Sequence, residues 1–455
     1  MDAVALARTA AWRARLGKVV PGIGGTAGLR LLGLAGRLGW GVADQAVSSL
    51  SNFALGVVVA RSLGAEGFGA FSLAYVTYAF VLSAMRGLAT DPLLVRFSGP
   101  PSLRWRNAVT ASTATAAAVG IVAGTACVLV GLALPGSLRG AFVVLGLALP
   151  GLMVQDAWRF AFFAVGTPVK ALLNDLVWGA LLLAALAGLL LTGHASVVTC
   201  VAAFGVTGAL AAGFGAVQSH ILPRLGAVRS WITVHSALGG RYLAENLAIG
   251  SARQLRMFAL GALGGLVAVG ETRAAEILMG PFLVILMGAA QVAVPEASHV
   301  LTWSPRHLRR FCLGLGGALA GAAAAWGLMV LALLPTGLGD LLLGPIWHSA
   351  GVLLPAVILN MVVGGFETAA MAGVRAMGAA PRSLKAQLTN AGLYVAGGGI
   401  GAYVAGAWGS AWGVAAATTI GTAVWWLQLH RAHREFMVTA AGIGPPTGED
   451  DRLTA

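Results

Sequence analysis

Charged residues are scarce in this chain. Only 10% of its 455 residues are Asp, Glu, Lys or Arg, whereas 58% are hydrophobic. Soluble globular domains carry about 25% charged residues, so this composition excludes a soluble protein of this size. Lysine is rarest, with three Lys against 26 Arg, a bias that suggests a high-GC bacterium.

Cysteine and phosphate-binding motifs are also lacking. Cys127, Cys200 and Cys312 fall in separate apolar segments without metal-type spacing, so we interpret them as small buried apolar side chains. The eight His residues form no ligand pairs. No Gly-rich loop is followed by Lys and Ser or Thr, which excludes an ATPase of that kind. The sequence therefore predicts no metal site.

What the chain has is long apolar runs, and runs of about 18 or more residues predict membrane-spanning helices. Many of these runs are rich in Gly and Ala, which lets helices pack closely in lipid. The prediction is an all-α polytopic membrane protein. Its twelve candidate spans are approximately 38–60, 70–90, 108–134, 140–163, 171–193, 195–219, 242–268, 274–296, 311–334, 349–373, 386–407 and 409–430.

The loops between these spans differ strongly in charge. With the N-terminus placed in the cytoplasm, the cytoplasmic loops and both tails hold 22 Lys and Arg, and the outer loops hold only Arg61, Arg139 and Arg273. The positive-inside rule then places both termini in the cytoplasm. The net charge of +13 is thereby explained by orientation, and we expect no nucleic-acid partner.

The chain divides into two similar halves. We predict a basic cytoplasmic tail (1–37), an N-lobe (38–220), a cytoplasmic linker (221–241), a C-lobe (242–430) and a C-terminal tail (431–455). "FALG" occurs at 53–56 and at 258–261, and "AVGTPVKALLND" (164–175) corresponds to "AMGAAPRSLKAQLTN" (376–390). Six spans per half give both lobes the same orientation, with a central cavity between them.

Polar and charged residues recur inside the predicted spans, although each charge costs about 2.5–3.5 kcal/mol near the bilayer centre. We expect them to line a water-filled cavity that opens towards the cytoplasm. Alternatively, Asp156 and Arg159, spaced i and i+3, neutralise one another and attach span four to a neighbour. The candidate residues are Arg86, Arg159, Arg253, Arg256, Asn52, Gln155, Asn360, Asp44, Asp156 and Glu367.

Several segments resemble one known group of transporters. They are "DQAVSSLSNFALGVVVARSLGAEGFGAFSLA" (44–74), "VQDAWRFAFFAVGTPVKALLND" (154–175) and "LGDLLLGPIWHSAGVLLP" (338–355). The chain resembles, over residues 38–430, the polysaccharide and O-antigen flippases of the multidrug/oligosaccharidyl-lipid/polysaccharide exporter superfamily. Lipid II flippases of this superfamily typically have fourteen helices, so twelve spans argue against that subgroup.

The resemblance implies two six-helix bundles, alternating access, and export of a polyprenyl-diphosphate-linked glycan across a bacterial plasma membrane. The coupling ion would be H⁺ or Na⁺, with no other cofactor. The implied partners are the bilayer, the lipid-linked glycan, and glycosyltransferases and a polymerase of the same pathway.

From residue chemistry we assign a role to each candidate. Arg86, Arg159, Arg253 and Arg256 are expected to hold the diphosphate, because guanidinium groups match phosphate oxygens. Asn52, Gln155 and Asn360 are expected to bond sugar hydroxyls. Asp44, Asp156 and Glu367 are expected to pair with these arginines or bind the coupling ion.

Three alternatives remain open at the level of sequence. A cation-coupled multidrug exporter of the same architecture would favour an acidic, aromatic cavity. A membrane-embedded enzyme of lipid-linked glycan assembly would need an acidic pair or a His facing a long outer loop. The outer loops hold only Glu66, Glu271 and Asp340 as acids, so we predict no catalytic residue. A non-transporting scaffold is the third alternative.

Overall fold

The computed structural model describes residues 26–99 and 101–440, and within these residues it contains helices and no strand. The side chains of residues 26–46, Asp44 among them, lie outside the description. The helices are α1 (Thr26–Met85), α2 (Asp91–Phe97), α3 (Leu103–Ala133), α4 (Gly136–Ala164), α5 (Pro168–Leu191), α6 (Val197–Ser219), α7 (Val228–Leu278), α8 (Gly280–Trp303), α9 (Leu308–Leu333), α10 (Leu338–Leu343), α11 (Ile346–Ala376) and α12 (Ala380–Ala440).

Three of these helices are broken at glycines. α1 breaks at Gly64, α7 at Gly265 and α12 at Gly406, with φ of 66°, 80° and 57°. Glycine adopts these positive φ angles without the steric cost that other residues pay. Each break turns the chain back, so that one long helix supplies two membrane-spanning legs.

The described residues therefore form twelve legs of membrane-spanning length, which confirms the predicted architecture. Leg 2 (65–97) consists of the second part of α1, the π turn Arg86–Thr90 and α2. By length and composition alone, eight stretches of the described chain qualify as spans, and the first, Val47–Phe97, joins parts of legs 1 and 2. Legs 1 to 12 are 26–63, 65–97, 103–133, 136–164, 168–191, 197–219, 228–264, 266–303, 308–333, 346–376, 380–404 and 407–440.

The two lobes, legs 1–6 and legs 7–12, meet closely at the end of the bundle that carries the glycine breaks, here called the break end. A Cβ at Gly69 would overlap the carbonyl oxygen of Leu266, and a Cβ at Gly270 would overlap that of Ala65. Legs 2 and 8 thus touch backbone to backbone, which only glycine permits. The break end is closed between the lobes.

The opposite end, here called the linker end, carries the connection between the lobes. Two residues after the end of α4 lies Gly166, and two residues after the end of α11 lies Gly378, both with positive φ. The amide of Thr167 donates to the Phe162 carbonyl (2.9 Å), and that of Ala379 donates to the Val374 carbonyl (3.3 Å). These are the same helix-ending bonds, so the repeat seen at 164–175 and 376–390 is structural.

The predicted linker and tails differ in extent from the helices. Most of 221–241 is helical, because α7 begins at Val228. Its residue Trp231 is buried and donates from Nε1 to the Leu88 carbonyl (3.1 Å), which packs the linker against leg 2. Residues 26–37 extend α1 and 431–440 extend α12, whereas 1–25 and 441–455 lie outside the described residues.

Candidate functional site

An ion pair inside the N-lobe joins leg 2 to leg 4. Arg86 donates from Nη2 to Asp156 Oδ1 (2.6 Å) and from Nε to Asp156 Oδ2 (2.9 Å). The guanidinium also lies over the Phe160 ring, 5.0 Å from its centroid. Such two-point pairs are strong and geometrically specific. Asp156 therefore pairs across helices with Arg86, and the predicted pairing with Arg159 along α4 is wrong.

Arg159 instead belongs to a second group that joins legs 4, 5 and 6. Its Nε lies 3.6 Å from Asp175 Oδ2. Gln155 donates to Asn174 Oδ1 (3.1 Å) and to Asp175 Oδ1 (2.9 Å), and Asn174 donates to the Ala211 carbonyl (2.9 Å). Gln155 is only 2% exposed. These polar groups satisfy one another inside the lobe, as buried polar groups must.

The π turn that begins at Arg86 accepts hydrogen bonds from side chains of two other helices, α7 and α3. A π turn releases backbone carbonyls from the regular helical pattern, and such turns are frequent at functional sites. Trp231 bonds the Leu88 carbonyl, and Ser112 Oγ donates to the Ala89 carbonyl (2.9 Å). Leg 7 adds a further contact, because Asn246 Nδ2 donates to Asp91 Oδ2 (2.8 Å). The irregular part of leg 2 is thereby fixed in this conformation.

The C-lobe holds a second charged cluster, built by legs 7 and 8. Arg256, 2% exposed, donates from Nη2 to Glu276 Oε1. Arg273 Nη1 lies 3.4 Å from Glu276 Oε2. Arg256 also lies over the Tyr394 ring and Arg273 over the Tyr75 ring, each 5.6 Å from the centroid. Two guanidinium groups thus share one carboxylate.

Arg273 corrects the sequence prediction, which placed it in an outer loop. Leg 8 begins at residue 266, directly after the Gly265 break. Arg273 therefore lies about two turns inside the bundle, at 1.5 Å per residue. The prediction failed because span seven was extended through Gly265 to residue 268, which moved the start of span eight past Arg273.

Three connected cavities run from the gap between the lobes into the C-lobe. The largest, here called the central cavity, has a volume of about 670 Å³ and lies between legs 1, 2 and 8. Its walls include Leu50, Asn52, Tyr75, Arg273, Glu276 and Met287. It is continuous with a narrow space of about 50 Å³, here called the neck, because Arg273, Glu276 and Leu283 line both.

The third cavity, here called the chamber, has a volume of about 250 Å³. Its polar side chains come from legs 7, 10, 11 and 12, and are Arg253, Asn360, Glu367, Thr368, Gln387, Asn390, Tyr394 and Thr418. Arg253, Asn360 and Tyr394 also line the neck. The side chain of Asn390 donates to Glu367 Oε1 (2.7 Å).

The structure brings four of the predicted residues together and separates the others. Arg253, Arg256, Asn360 and Glu367 lie around the neck and chamber, and Asn52 lines the central cavity. Arg86, Gln155, Asp156 and Arg159 line none of these three cavities and form the N-lobe network. Asp44 lies in α1, with its side chain outside the description.

Sequence reasoning missed four residues of this site: Tyr75, Arg273, Glu276 and Tyr394. The Gly264–Gly265 pair was the available signal for Arg273. It marks a turn as Gly64 does, and would have moved Arg273 into the span that already contained Glu276. The two tyrosines carried no sequence signal, because aromatic residues in spans are usually packing residues.

The cysteines and histidines give no sign of metal chemistry in the described part of the chain. Cys127, Cys200 and Cys312 are free and buried, as interpreted from the sequence. Among the described residues there is no group of three or more His, Cys, Asp or Glu side chains that could hold a metal ion.

Comparison with known proteins identifies the fold. No protein-family model and no curated protein matches the sequence. Among solved structures, an inward-facing multidrug resistance MATE family transporter of the MOP superfamily matches with a TM-score of 0.67 and 14% identity, over 86% of this chain and 96% of that chain. An outward-facing one matches with a TM-score of 0.53 and 15% identity, over 88% and 94%.

A third solved structure is a MOP superfamily transporter from Pyrococcus furiosus Vc1, in which a binding pocket of reverse polarity suggests a different function. It matches with a TM-score of 0.50 and 15% identity, over 87% of this chain and 94% of that chain. This chain is a multi-pass membrane protein with the fold of the MATE transporters of the MOP superfamily.

Proposed function

We propose that this protein is an alternating-access transporter that moves an anionic amphiphile, of the polyprenyl-diphosphate-glycan class, from the inner to the outer leaflet of a bacterial plasma membrane. The observation that carries this proposal is the mixed chemistry of the central cavity. The first part of leg 8 supplies the charged side chains of Arg273 and Glu276, whereas leg 1 and the later part of leg 8 supply apolar side chains such as Leu50 and Met287. A fold hosts many functions, so the substrate must be argued from the site.

The apolar side of the central cavity suits a lipid tail. Leu50 on leg 1 is 68% exposed and Met287 on leg 8 is 47% exposed, and both line the cavity. Apolar side chains that line a cavity and remain accessible favour an apolar ligand. A tail held between legs 1 and 8 would stay in contact with the bilayer while its head group occupied the polar wall.

The charge of the site favours an anion. Arg253, Arg256 and Arg273 face the neck, against Glu276 there and Glu367 in the adjoining chamber. Guanidinium groups form two-point bonds with phosphate oxygens, and a low-dielectric site strengthens them. We assign the diphosphate to these three arginines. In this proposal Arg86 and Arg159 stabilise the N-lobe through Asp156 and Asp175.

The membrane potential would favour this direction of transport. Moving two net negative charges outward across 100 mV, inside negative, releases about 4.6 kcal/mol. A coupling ion would add to this driving force, and Glu367 is the proposed site for H⁺ or Na⁺.

The proposal is tested in proteoliposomes that contain a fluorescent polyprenyl-diphosphate glycan. The fraction accessible to an impermeant glycosidase is followed with time. Wild-type protein is expected to transfer the lipid, and the double variant Arg253→Gln, Arg273→Gln to do so at least ten-fold more slowly. Arg310→Gln, which removes an exposed charge outside the three cavities, is the matched control. Equal rates for the double variant and the wild type would refute the proposal.

A second candidate function is a multidrug exporter. Two of the solved structures with this fold are multidrug resistance transporters. Glu276 and Glu367 would then attract a cationic drug. In the same proteoliposomes, the uptake of a cationic dye would support this candidate over the lipid exporter if Glu367→Gln abolishes it and Arg253→Gln leaves it unchanged.

A further inference from the structure

The three cavities differ in chemistry in a fixed order. The central cavity is bounded by apolar side chains such as Phe53, Val284 and Met287. The neck contains Arg253, Arg256 and Arg273. The chamber beyond it adds amides, hydroxyls and Glu367, with Arg253 and the Tyr394 ring at its border with the neck. The path therefore runs from a largely apolar cavity through a cationic neck to a chamber rich in uncharged hydrogen-bonding groups.

The chamber has free hydrogen-bonding capacity. Within the described part of the chain, the side-chain amides of Asn360 and Gln387 make no hydrogen bond, although both face the chamber. Glu367 uses one carboxylate oxygen for Asn390 (2.7 Å), which leaves the second oxygen for another donor. A polar side chain inside a bundle normally has a partner, so these groups call for a hydroxylated ligand or water.

An aromatic ring stands where the neck joins the chamber. Tyr394 lines both spaces, and its ring lies 5.6 Å from the Arg256 guanidinium carbon. An aromatic face beside amides and a carboxylate offers a sugar ring both a flat apolar surface and hydrogen-bond partners. Arg256 itself is directed to Glu276, so the chamber side of Tyr394 remains open to a ligand.

We infer that the chamber is a sugar subsite, which binds the first sugar of a phosphoglycolipid while the neck arginines hold its phosphate groups and the central cavity holds the start of its tail. This inference rests on the proposed function and adds the orientation of the substrate. The order of tail, phosphate and sugar in the lipid is the order of the three cavities. The volume of about 250 Å³ restricts the chamber to a short glycan segment, and the remaining sugars extend from it.

The test compares two probes, polyprenyl diphosphate and the same lipid carrying one N-acetylhexosamine, by the dissociation constant for purified protein in nanodiscs. Wild type is expected to bind the sugar-bearing lipid about ten-fold more tightly. Gln387→Leu and Thr418→Val, at two residues that line the chamber and not the neck, are each expected to remove most of this preference and to leave the affinity for the sugar-free lipid unchanged. Thr418 is buried beside the chamber.

Thr419→Val is the matched control, because Thr419 is the next residue on leg 12, is not among the chamber residues and donates to the Ala415 carbonyl (2.8 Å). Unchanged affinity for the sugar-free lipid shows that each variant is folded. Equal binding of both lipids by wild type would overturn the sugar subsite and leave the lipid exporter standing. Binding of neither lipid would overturn the proposed function as well.

Discussion

Arg86 on leg 2 and Asp156 on leg 4 form a two-point ion pair, with nitrogen–oxygen distances of 2.6 and 2.9 Å. Asp156 is buried, whereas one third of the Arg86 side chain is exposed. Arg86 is the first residue of the π turn of leg 2. The buried Asp156 carboxylate is compensated by the Arg86 guanidinium from another helix. The ion pair also fixes the position of the irregular π turn of leg 2.

A double-mutant cycle should identify Arg86 as the partner of Asp156. Residues in contact show coupling energies of about 0.5–3 kcal/mol, whereas residues more than about 7–10 Å apart without shared partners add within about 0.5 kcal/mol. We expect a coupling of about 2 kcal/mol for Arg86→Gln with Asp156→Asn. Arg159→Gln with Asp156→Asn should show a smaller coupling, because these two residues are one helical turn apart and each pairs with another residue. The free energy of unfolding in mixed micelles provides the measurement, and a larger coupling for Arg159 would contradict the pairing described here.

Substituting Gly270 by alanine should open the break end. Its Cβ would overlap the Ala65 carbonyl oxygen, so legs 2 and 8 must separate. We expect a cysteine introduced at Ala268, a buried position, to react several-fold faster with an impermeant thiol reagent in Gly270→Ala. The native Cys127, Cys200 and Cys312 are buried and can be replaced by alanine.

Gly213→Ala is the matched control for this experiment, because a Cβ at Gly213 meets no atom within 4 Å. It should leave the labelling rate at the wild-type value. An unchanged rate in Gly270→Ala would show that the contact between legs 2 and 8 does not hold the break end closed.

The sequence was sufficient for the number of spans and for the two-lobe plan. Both follow from the length of apolar runs and from the division of the chain into similar halves. It also placed Arg253, Arg256, Asn360 and Glu367 inside spans, where a polar residue is expected to face a cavity. The structure places these four residues around the neck and chamber, and their roles in binding stay predictions.

The partner of each charge was beyond the sequence. Asp156 and Arg159 are neighbours along α4, yet Asp156 pairs with Arg86 and Arg159 with Asp175. Which face of α4 meets leg 2 depends on how the helices pack. The span boundaries near Gly265 were also misplaced, because an apolar run continues across the break. The Gly264–Gly265 pair was the one sequence signal of a turn there, and the positive φ of Gly265 shows that the chain does turn.

Glu367→Gln should separate transport from its energy source. Glutamine keeps an acceptor oxygen for Asn390, which now donates to Glu367 Oε1 (2.7 Å), but it cannot bind a proton or Na⁺ through charge. We expect downhill exchange of lipid to stay within about two-fold of wild type and the stimulation by an imposed H⁺ or Na⁺ gradient to disappear. Glu66→Gln, an exposed position near the Gly64 break, is the control. Full stimulation in Glu367→Gln would exclude Glu367 as the coupling site.

Glu276 and Arg273 should differ sharply in their effect on stability, although they contact one another. Glu276→Gln removes the charge that compensates Arg256, which is 2% exposed, and an uncompensated buried charge costs about 3–5 kcal/mol. Arg273 is 28% exposed and lies 3.4 Å from Glu276, so Arg273→Gln should cost about 0–1 kcal/mol. Thermal unfolding in detergent measures the stability of both variants. The double variant Arg256→Met, Glu276→Leu should recover most of the stability that Glu276→Gln loses, because an apolar pair replaces a buried ion pair at little cost. If Glu276→Gln unfolds at the same temperature as the wild type, the predicted cost of an uncompensated Arg256 charge is wrong. Water in the neck would then solvate the Arg256 guanidinium in the absence of a ligand.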